Sequence, residues 1–464
     1  MSYIMRNGVK YALGKKYIMR NGTKYGGIDN VGMQDVNFYD YDGSLVHSYT
    51  KAEFTKLSAM PDNPTHEGLT SQGWNWSLAD AKAYVNVYGK LNIGQMYNTS
   101  DGALRLYIHL EDGRLSPTLG ICINGTVTVD WGDNSATETM TGSSVSTLQY
   151  LPHTYSQAGD YVISILPGEE SKIGFGQRGS CSTILCKSQD DSPTNRYVYL
   201  NSIYKVELPN TLTTVNEYSL SYCYSLESIT IPDSVTISGG TPFRACYSLK
   251  SMTVPKGVTV IGAYDCASLE SIAIPNSVTD ISDSGFNNCY SLSSVTLPTI
   301  SFAGSAFSNC YSLSSLTLRA STRIASRVFV NCYSLTTIRI PSSVSTIENY
   351  AFASCAGLAS IHFTRETPPT VAASNAFSSI STDCIIYAPA LVINLYMNGT
   401  NYPNKSTYTY VGFATYESGV TLPSTTTDET HTLTWYANID DLKAETNPIT
   451  TGNGNEIYAR ATAI

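Results

Sequence analysis

Cysteine is the residue type in this chain best placed to do chemistry, and its spacing is regular. Seven of the eleven cysteines open one short phrase: Cys223-Tyr-Ser-Leu, Cys246-Tyr-Ser-Leu, Cys266-Ala-Ser-Leu, Cys289-Tyr-Ser-Leu, Cys310-Tyr-Ser-Leu, Cys332-Tyr-Ser-Leu and Cys355-Ala-Gly-Leu. Thiols bind metals, form disulfides or act as nucleophiles. No Cys-x-x-Cys or paired Cys/His spacing suggests zinc, and a disulfide framework would not place seven cysteines at one position of a repeat. A cysteine repeated in one inward position acts as a small buried hydrophobe, so reduced structural thiols are expected. Cys181 and Cys186 are the only close pair outside the repeats.

The remaining chemistry-bearing residues do not assemble into a reaction centre. The six histidines, 47, 66, 109, 153, 362 and 431, are scattered, and none lies in His-Glu-x-x-His. Gly-x-Ser-x-Gly, a phosphate-binding loop and a dinucleotide fingerprint are all missing. A glycan hydrolase would need paired carboxylates in a cleft, and no such pair stands out. The chain therefore reads as a binding protein, not an enzyme, with no cofactor and no metal. Tyrosine is abundant, at 34 residues against 12 phenylalanines. Tyr224, Tyr247, Tyr290, Tyr311 and Tyr333 each follow a repeat cysteine. If the cysteine points inward, these rings lie at or near the surface as a strip interrupted by Ala267. Such a strip suits a sugar face or a protein hot spot, or it seals the edge of the stack. A flat face of small hydroxyls, Ser294, Thr296, Ser315 and Thr317, competes with it.

The elements that position these residues follow from the repeat. Its spacings are 23, 20, 23, 21, 22 and 23 residues, the period of a solenoid. In the copy at Cys289, Leu292, Val295 and Leu297 are apolar, and Ser294 and Thr296 alternate with the last two, which predicts a short strand with one buried face. Pro232, Pro255, Pro275, Pro298 and Pro341 end such strands, because proline cannot donate to a ladder. Leu220, Phe243, Phe286, Phe307, Phe329 and Phe352 sit three residues before their cysteines and would fill the coil from the opposite wall. The third copy departs, with Tyr264 two residues before Cys266.

The pattern resembles the BspA-like family of leucine-rich repeats, a bacterial surface type with Phe-x-x-Cys-x-x-Leu-x-x-Ile-x-Ile-Pro coils. The likeness covers roughly residues 200 to 413 and recurs in register. Val206, Leu208 and Pro209 look like an incomplete first coil. Thr367 to Thr370, Ala376-Phe377 and Ile385 to Pro389 look like the family's divergent last coil, which acts as a cap.

The flanks read as separate modules. Residues 1–27 duplicate Tyr-Ile-Met-Arg-Asn-Gly-x-Lys-Tyr, each copy with the Asn-Gly of a tight hairpin. Two such hairpins are too small to stand alone, so this arm is expected to pair with another chain or dock on an assembly. Residues 28–115 predict a small α+β module: strands at Val36 to Tyr39 and Leu45 to Tyr49, a helix at Lys51 to Met60, and a helix from an N-cap at Ser77 to Tyr88. A hairpin of Ile93 to Tyr97 with Leu104 to Leu110 would close it. Its Phe-Tyr-Asp-Tyr-Asp-Gly opening and Gly-Trp closing resemble Listeria–Bacteroides β-grasp repeats, and the block resembles N-terminal regions of Gram-positive phage and gut-bacterial BspA-like proteins. Asn37 to Leu45 also resembles the first motif of haloacid-dehalogenase phosphatases, but the segment has no room for that large parallel sheet. An EF-hand fails too, because Phe38 and Tyr49 fall on ligand positions.

Residues 116–198 carry Asp130-Trp131-Gly132-Asp133, His153-Thr-Tyr155 and Gly159-Asp160-Tyr161. They resemble PKD-like domains, which implies an immunoglobulin-like β-sandwich serving as a spacer or interaction module. Trp131 and Tyr161 are expected in its core, with His153 bonded to a turn backbone. Residues 199–413 form the solenoid with its cap. Residues 414–464 form a short β module whose Leu433-Thr-Trp435-Tyr436 and Glu456 to Arg460 resemble the closing half of a Listeria–Bacteroides repeat. It is expected to lean on the cap or on another chain. The fold class is mainly β and multidomain: a leucine-rich-repeat solenoid with a PKD-like β-sandwich and small α+β, β-grasp-like flanking modules.

Charged residues make up 14% of the chain and the net charge is −9, with no basic patch, so nucleic-acid binding is not expected. No run of about twenty apolar residues suggests membrane insertion. No apolar signal segment is visible in residues 1–27 and no wall-anchor motif follows the repeats. These features predict a virion or extracellular protein: a phage tail-associated or receptor-binding protein that grips a cell-surface glycan or protein through its solenoid, with homo-oligomerisation or virion attachment through the N-terminal arm. The alternative is a BspA-like bacterial surface adhesin that binds host matrix or other microbes.

Overall fold

The computed structural model describes residues 3–6, 9–12, 18–20, 23–25, 34–175, 177–178, 181–187, 198–212, 214–237, 239, 241–297, 301–318, 322–390, 393, 400–404, 409–415, 431–436, 442, 448–450 and 456–463. The chain divides into two compact units, Met1–Pro298 and Thr299–Ile464. Repeat coils occur in both, and the described residues are mainly β, with short α-helices at Lys51–Phe54 and Leu78–Tyr88.

The first unit begins with four short strands, β1 (Tyr3–Arg6), β2 (Val9–Ala12), β3 (Ile18–Arg20) and β4 (Thr23–Tyr25). The two expected hairpins form, and β2 also pairs with β3, making one antiparallel sheet. Next come β5 (Val36–Tyr39), β6 (Leu45–Tyr49), α1 (Lys51–Phe54), β7 (Leu69–Trp74), α2 (Leu78–Tyr88) and β8 (Leu91–Thr99). Their sheet runs β6-β5-β8-β7, with β5 and β8 parallel. Ser77 caps α2 by accepting from the Asp80 amide, as its position before the apolar run predicts. The first helix is much shorter than expected. It holds a capping box between Thr50 and Glu53 and ends at Phe54, whose ring is buried.

The expected hairpin of β8 with β9 (Leu104–Leu110) does not form. β8 is paired on both edges by β5 and β7, so it has no free edge for β9. Asp101 instead accepts from the Ala103 amide and turns the chain away. β9 joins a second sheet containing β10 (Thr118–Asp130), β11 (Glu138–Pro152), β12 (Gly159–Pro167) and β13 (Lys172–Phe175). One edge of β9 pairs with β12 and the other with Ile203–Glu207, the first strand of the solenoid. That strand pairs in parallel with Ser228–Thr230. One continuous sheet therefore runs from β11 into the first repeat coils.

Within 116–198, Trp131 and Tyr155 are the fully buried aromatics, and Tyr161 is only half-buried beside Tyr155. His153 does not bond a turn backbone. Its Nε2 meets the Asp133 carboxylate at 2.9 Å, and its ring stacks on Trp131 at 4.5 Å. Burial opposes charge on Asp133, but hydrogen bonds from Ser135 and His153 outweigh it and hold that carboxyl at about 2.

The coils follow the sequence pattern closely. All seven repeat cysteines are 0% exposed and are thiols, not disulfides. Their thiols also have a second role. Cys246 donates to the Leu220 carbonyl, Cys266 to Phe243 and Cys289 to Ala263, at 3.1–3.2 Å. In the second unit Cys332 donates to Phe307 and Cys355 to Phe329. In each case the acceptor lies three residues before the previous cysteine. A buried carbonyl left unpaired is costly, and cysteine is small enough to reach it while remaining apolar. The residue before each cysteine has φ between 60° and 66°, whether it is Tyr222, Ala245, Asp265, Asn288, Asn309, Asn331 or Ser354. Asparagine tolerates that left-handed turn best. Asn331 and Asn309 also join side chain to side chain at 2.7 Å.

In the second unit Phe307, Phe329, Phe352 and Phe377 stack in series, 5.4–5.9 Å apart. The divergent coil contributes Thr370–Val371, a 3-10 turn at Ser374–Phe377 and Ile385–Pro389. Its outer edge does not end the sheet. Thr409–Thr415 adds in parallel, followed by antiparallel Glu456–Ala463 and His431–Tyr436. The C-terminal β unit therefore leans on the cap by extending its sheet, which covers an otherwise open edge.

Candidate functional site

The expected hydroxyl face of the strands is covered in the first unit. Ser228, Thr230, Ser251, Thr253 and Ser271 are each at most 9% exposed. The 34–99 module lies on them. Asn75 donates to the Val254 and Ala273 carbonyls, at 3.1 and 3.0 Å. Trp76 Nε1 donates to Ile274, and the Tyr84 hydroxyl donates to Leu297. A Cβ on Gly94 would run into Thr253 and Ala273, so glycine is required for this close approach. Ser294 is half-buried, and the side chains of Thr296, Ser315 and Thr317 lie outside the described residues.

Two pairs of the expected strip stack, one in each unit. Tyr224 and Tyr247 stack with centroids 4.9 Å apart and planes 8° apart. In the second unit Tyr311 and Tyr333 stack at 5.0 Å and 26°. These distances match the spacing of successive strands in a sheet. Exposure is lower than the sequence suggests: Tyr224, Tyr247, Tyr290 and Tyr333 are half-buried, and Tyr311 is 9% exposed. Ala267, 3% exposed, supplies no ring.

The Tyr224–Tyr247 pair lines a concavity. It forms part of the wall of a cavity of about 440 Å³, with Tyr199, Tyr204, His109 and Arg114 among the other walls. The end of β9 and the segment before the first coil bring these residues to the stack. No local signal in the sequence predicts this, because His109 and Tyr224 meet only after β9 pairs with the first solenoid strand. At the rim His109 Nδ1 faces Asp160 at 2.7 Å, and Arg114 faces Glu111 at 3.7 Å. Both pairs are well exposed and contribute little to stability. Burial, and then the nearby Asp160, raise the Tyr204 hydroxyl above its ordinary value, so it remains a neutral donor. The site offers flat rings, hydroxyls and exposed surface charges.

Elsewhere the carboxylate of the phosphatase-like motif, Asp40, is 5% exposed and bonded to His66 Nε2 at 2.7 Å. Asp42 caps the Ser44 amide. Both have structural partners. Among the described residues no group of three or more His, Cys, Asp or Glu is placed to hold a metal ion, and no helix is long and apolar enough to cross a membrane.

Residues 193–268 and 262–383 match the family model described as BspA type Leucine rich repeat region, in six copies. The chain carries BspA-type leucine-rich repeats. No curated protein matches it. Among solved structures, it is similar to a leucine-rich repeat protein from Bacteroides ovatus: 19% identity, 44% of this chain and 76% of that one, TM-score 0.25. A leucine rich cell surface protein from Faecalibacterium prausnitzii matches at 24% identity over 45% of this chain and 60% of that one, TM-score 0.27. The leucine-rich repeat protein of T. pallidum matches at 20% identity over 42% and 73%, TM-score 0.24.

Proposed function

We propose that this chain is a non-catalytic surface-recognition protein that grips a cell-surface glycan or protein at the flank of its solenoid. One observation carries the reading: the Tyr224–Tyr247 stack lines a cavity with neutral tyrosine hydroxyls and polar groups at its rim. Aromatic faces beside hydroxyls suit sugars and peptide side chains alike. Of the two biological settings, the bacterial surface adhesin is the better supported, because the matched repeats are of the BspA type. The phage-tail role rests on the sequence reading alone. Within the proposal, the PKD-like segment at 116–198 serves as a spacer, and the Listeria–Bacteroides-like flanks serve as accessory β modules. Residues 1–27 provide self-association or attachment. Tyr290 in the first unit, and Tyr311 and Tyr333 in the second, serve as further contact points.

The test is the double variant Tyr224→Ser and Tyr247→Ser, screened against immobilised glycans, host-matrix proteins and whole bacterial cells. Each ring at an interface centre contributes about 1–2 kcal/mol, so retention should fall roughly tenfold or more. A variant with an unchanged circular dichroism spectrum and undiminished retention refutes the tyrosine site.

A further inference from the structure

A second cavity, of about 500 Å³, opens on another part of the first unit, walled by Glu217, Tyr218, Arg244, Tyr264, Asp283 and Ser284 among others. It exists because of two irregularities in the repeat. The first is the third copy. Ala263 takes the inward place that a larger residue, Leu220 or phenylalanine, holds in the other copies, and Tyr264 is left half-buried at the cavity wall. The second is the short strand on this side of the coils. Thr214–Val215 pairs with Thr236–Ile237, and Val260–Ile261 pairs with Asp280–Ile281. Among the described residues, the two pairs are not joined to each other. Gly239, at φ +82°, sits at the break, and a Cβ there would meet the Glu217 side chain at 2.5 Å.

Arg244 is the notable group in this cavity. Its guanidinium lies 5.1 Å from the Tyr264 ring centroid and 5.8 Å from that of Tyr222. Its Nε is buried without a hydrogen-bond partner, and it forms no ion pair among the described residues. The Glu217 carboxylate accepts from the Thr241 hydroxyl at 3.4 Å. A guanidinium held between two rings, with no ion pair among the described residues, can turn its terminal N–H groups to a two-pronged acceptor. The lining also carries hydroxyls and the carboxylates of Glu217 and Asp283, which can accept from ligand hydroxyls. Tyr264 offers an aromatic wall for an apolar sugar face. The volume suits a small ligand.

We infer that this cavity binds a carboxylate-bearing saccharide, with the sugar carboxylate on Arg244 and its hydroxyls on Glu217 and Asp283. The site is separate from the tyrosine groove and stands or falls independently of it. The full chain is titrated by calorimetry with a glucuronic-acid disaccharide and with its neutral glucose counterpart. The acidic sugar should bind at least tenfold more tightly. Arg244→Gln should remove that preference, changing neutral-sugar binding less than twofold. Arg244→Lys keeps the charge but loses the fork, and should weaken the acidic sugar severalfold while the near-ultraviolet dichroism spectrum is retained. Where Arg244→Gln fails to fold, the lysine variant decides. Equal affinity for the two sugars, or unchanged acidic-sugar affinity in a folded Arg244 variant, overturns the assignment. So does an acidic dipeptide that binds where the sugar does not.

Discussion

Replacing Phe329 by alanine should destabilise the second unit by about 4–5 kcal/mol. The ring is 0% exposed and lies between Phe307, at 5.9 Å and 12°, and Phe352, at 5.4 Å and 19°. A buried phenylalanine hides roughly 150–250 Å², a gross gain of about 4–6 kcal/mol at about 25 cal/mol per Å². Alanine recovers part of this, which places a typical Phe-to-Ala change at about 3–5 kcal/mol. Two stacked neighbours, at about 0.5–1.5 kcal/mol each, move this site to the top of that range. Phe329→Leu keeps most of the volume and loses only the stacking, so about 1–2 kcal/mol is expected. Urea unfolding followed by circular dichroism measures both variants. Hydrogen exchange should show lost protection in the coils on either side, since each coil is held by its neighbours. A loss below about 1 kcal/mol for the alanine variant refutes the argument, because no buried ring between two others is so lightly held.

Two further outcomes are expected. Cys355 and Cys384 are both 0% exposed, and burial raises their thiols to about 12, so both should resist thiol labelling at pH 8 in the native protein and label fully once it is denatured; rapid native labelling at either site contradicts that burial. Burial, and then the nearby Arg339, lower His362 from 6.5 to about 4, which means the folded state holds it neutral. Its contribution is fully present above about pH 6.5 and is lost as pH falls toward 4, because the unfolded chain takes up the proton first; an NMR titration of His362 near 6.5 would refute this.

The inward cysteines, the phenylalanine stack and the Ser77 cap were all legible in the sequence, because each depends on spacing within one coil or one helix turn. The left-handed residue before each cysteine was not, since Asn288, Asn309 and Asn331 share that position with Tyr222, Ala245 and Ser354. Composition there hides a backbone requirement that geometry makes obvious. The partner of β9 was also hidden. Asp101-Gly102 looks like a hairpin turn, but the edges of β8 are taken by β5 and β7, a matter of tertiary competition. The two cavities depend on residues far apart in the chain, as with His109 beside Tyr224, or on the arginine left between two rings. The sequence shows the tyrosines but not the walls around them.

The seating of the 34–99 module on the strand face also imposes a timetable on the growing chain. Asn75 finds its acceptor on Ala273, 198 residues later. At a synthesis rate of about 5–20 residues per second, that gap lasts roughly 10–40 s. Throughout it, Asn75, Trp76 and Tyr84 have left the ribosome and the carbonyls they will meet have not been made. The coils, by contrast, close over little more than twenty residues each, within a few seconds at the same rate. The early module must therefore persist with one face unsatisfied until the third and fourth coils arrive. Slow codons between residues 100 and 250 would lengthen that exposure and lower the soluble yield, without changing a single residue of the finished protein.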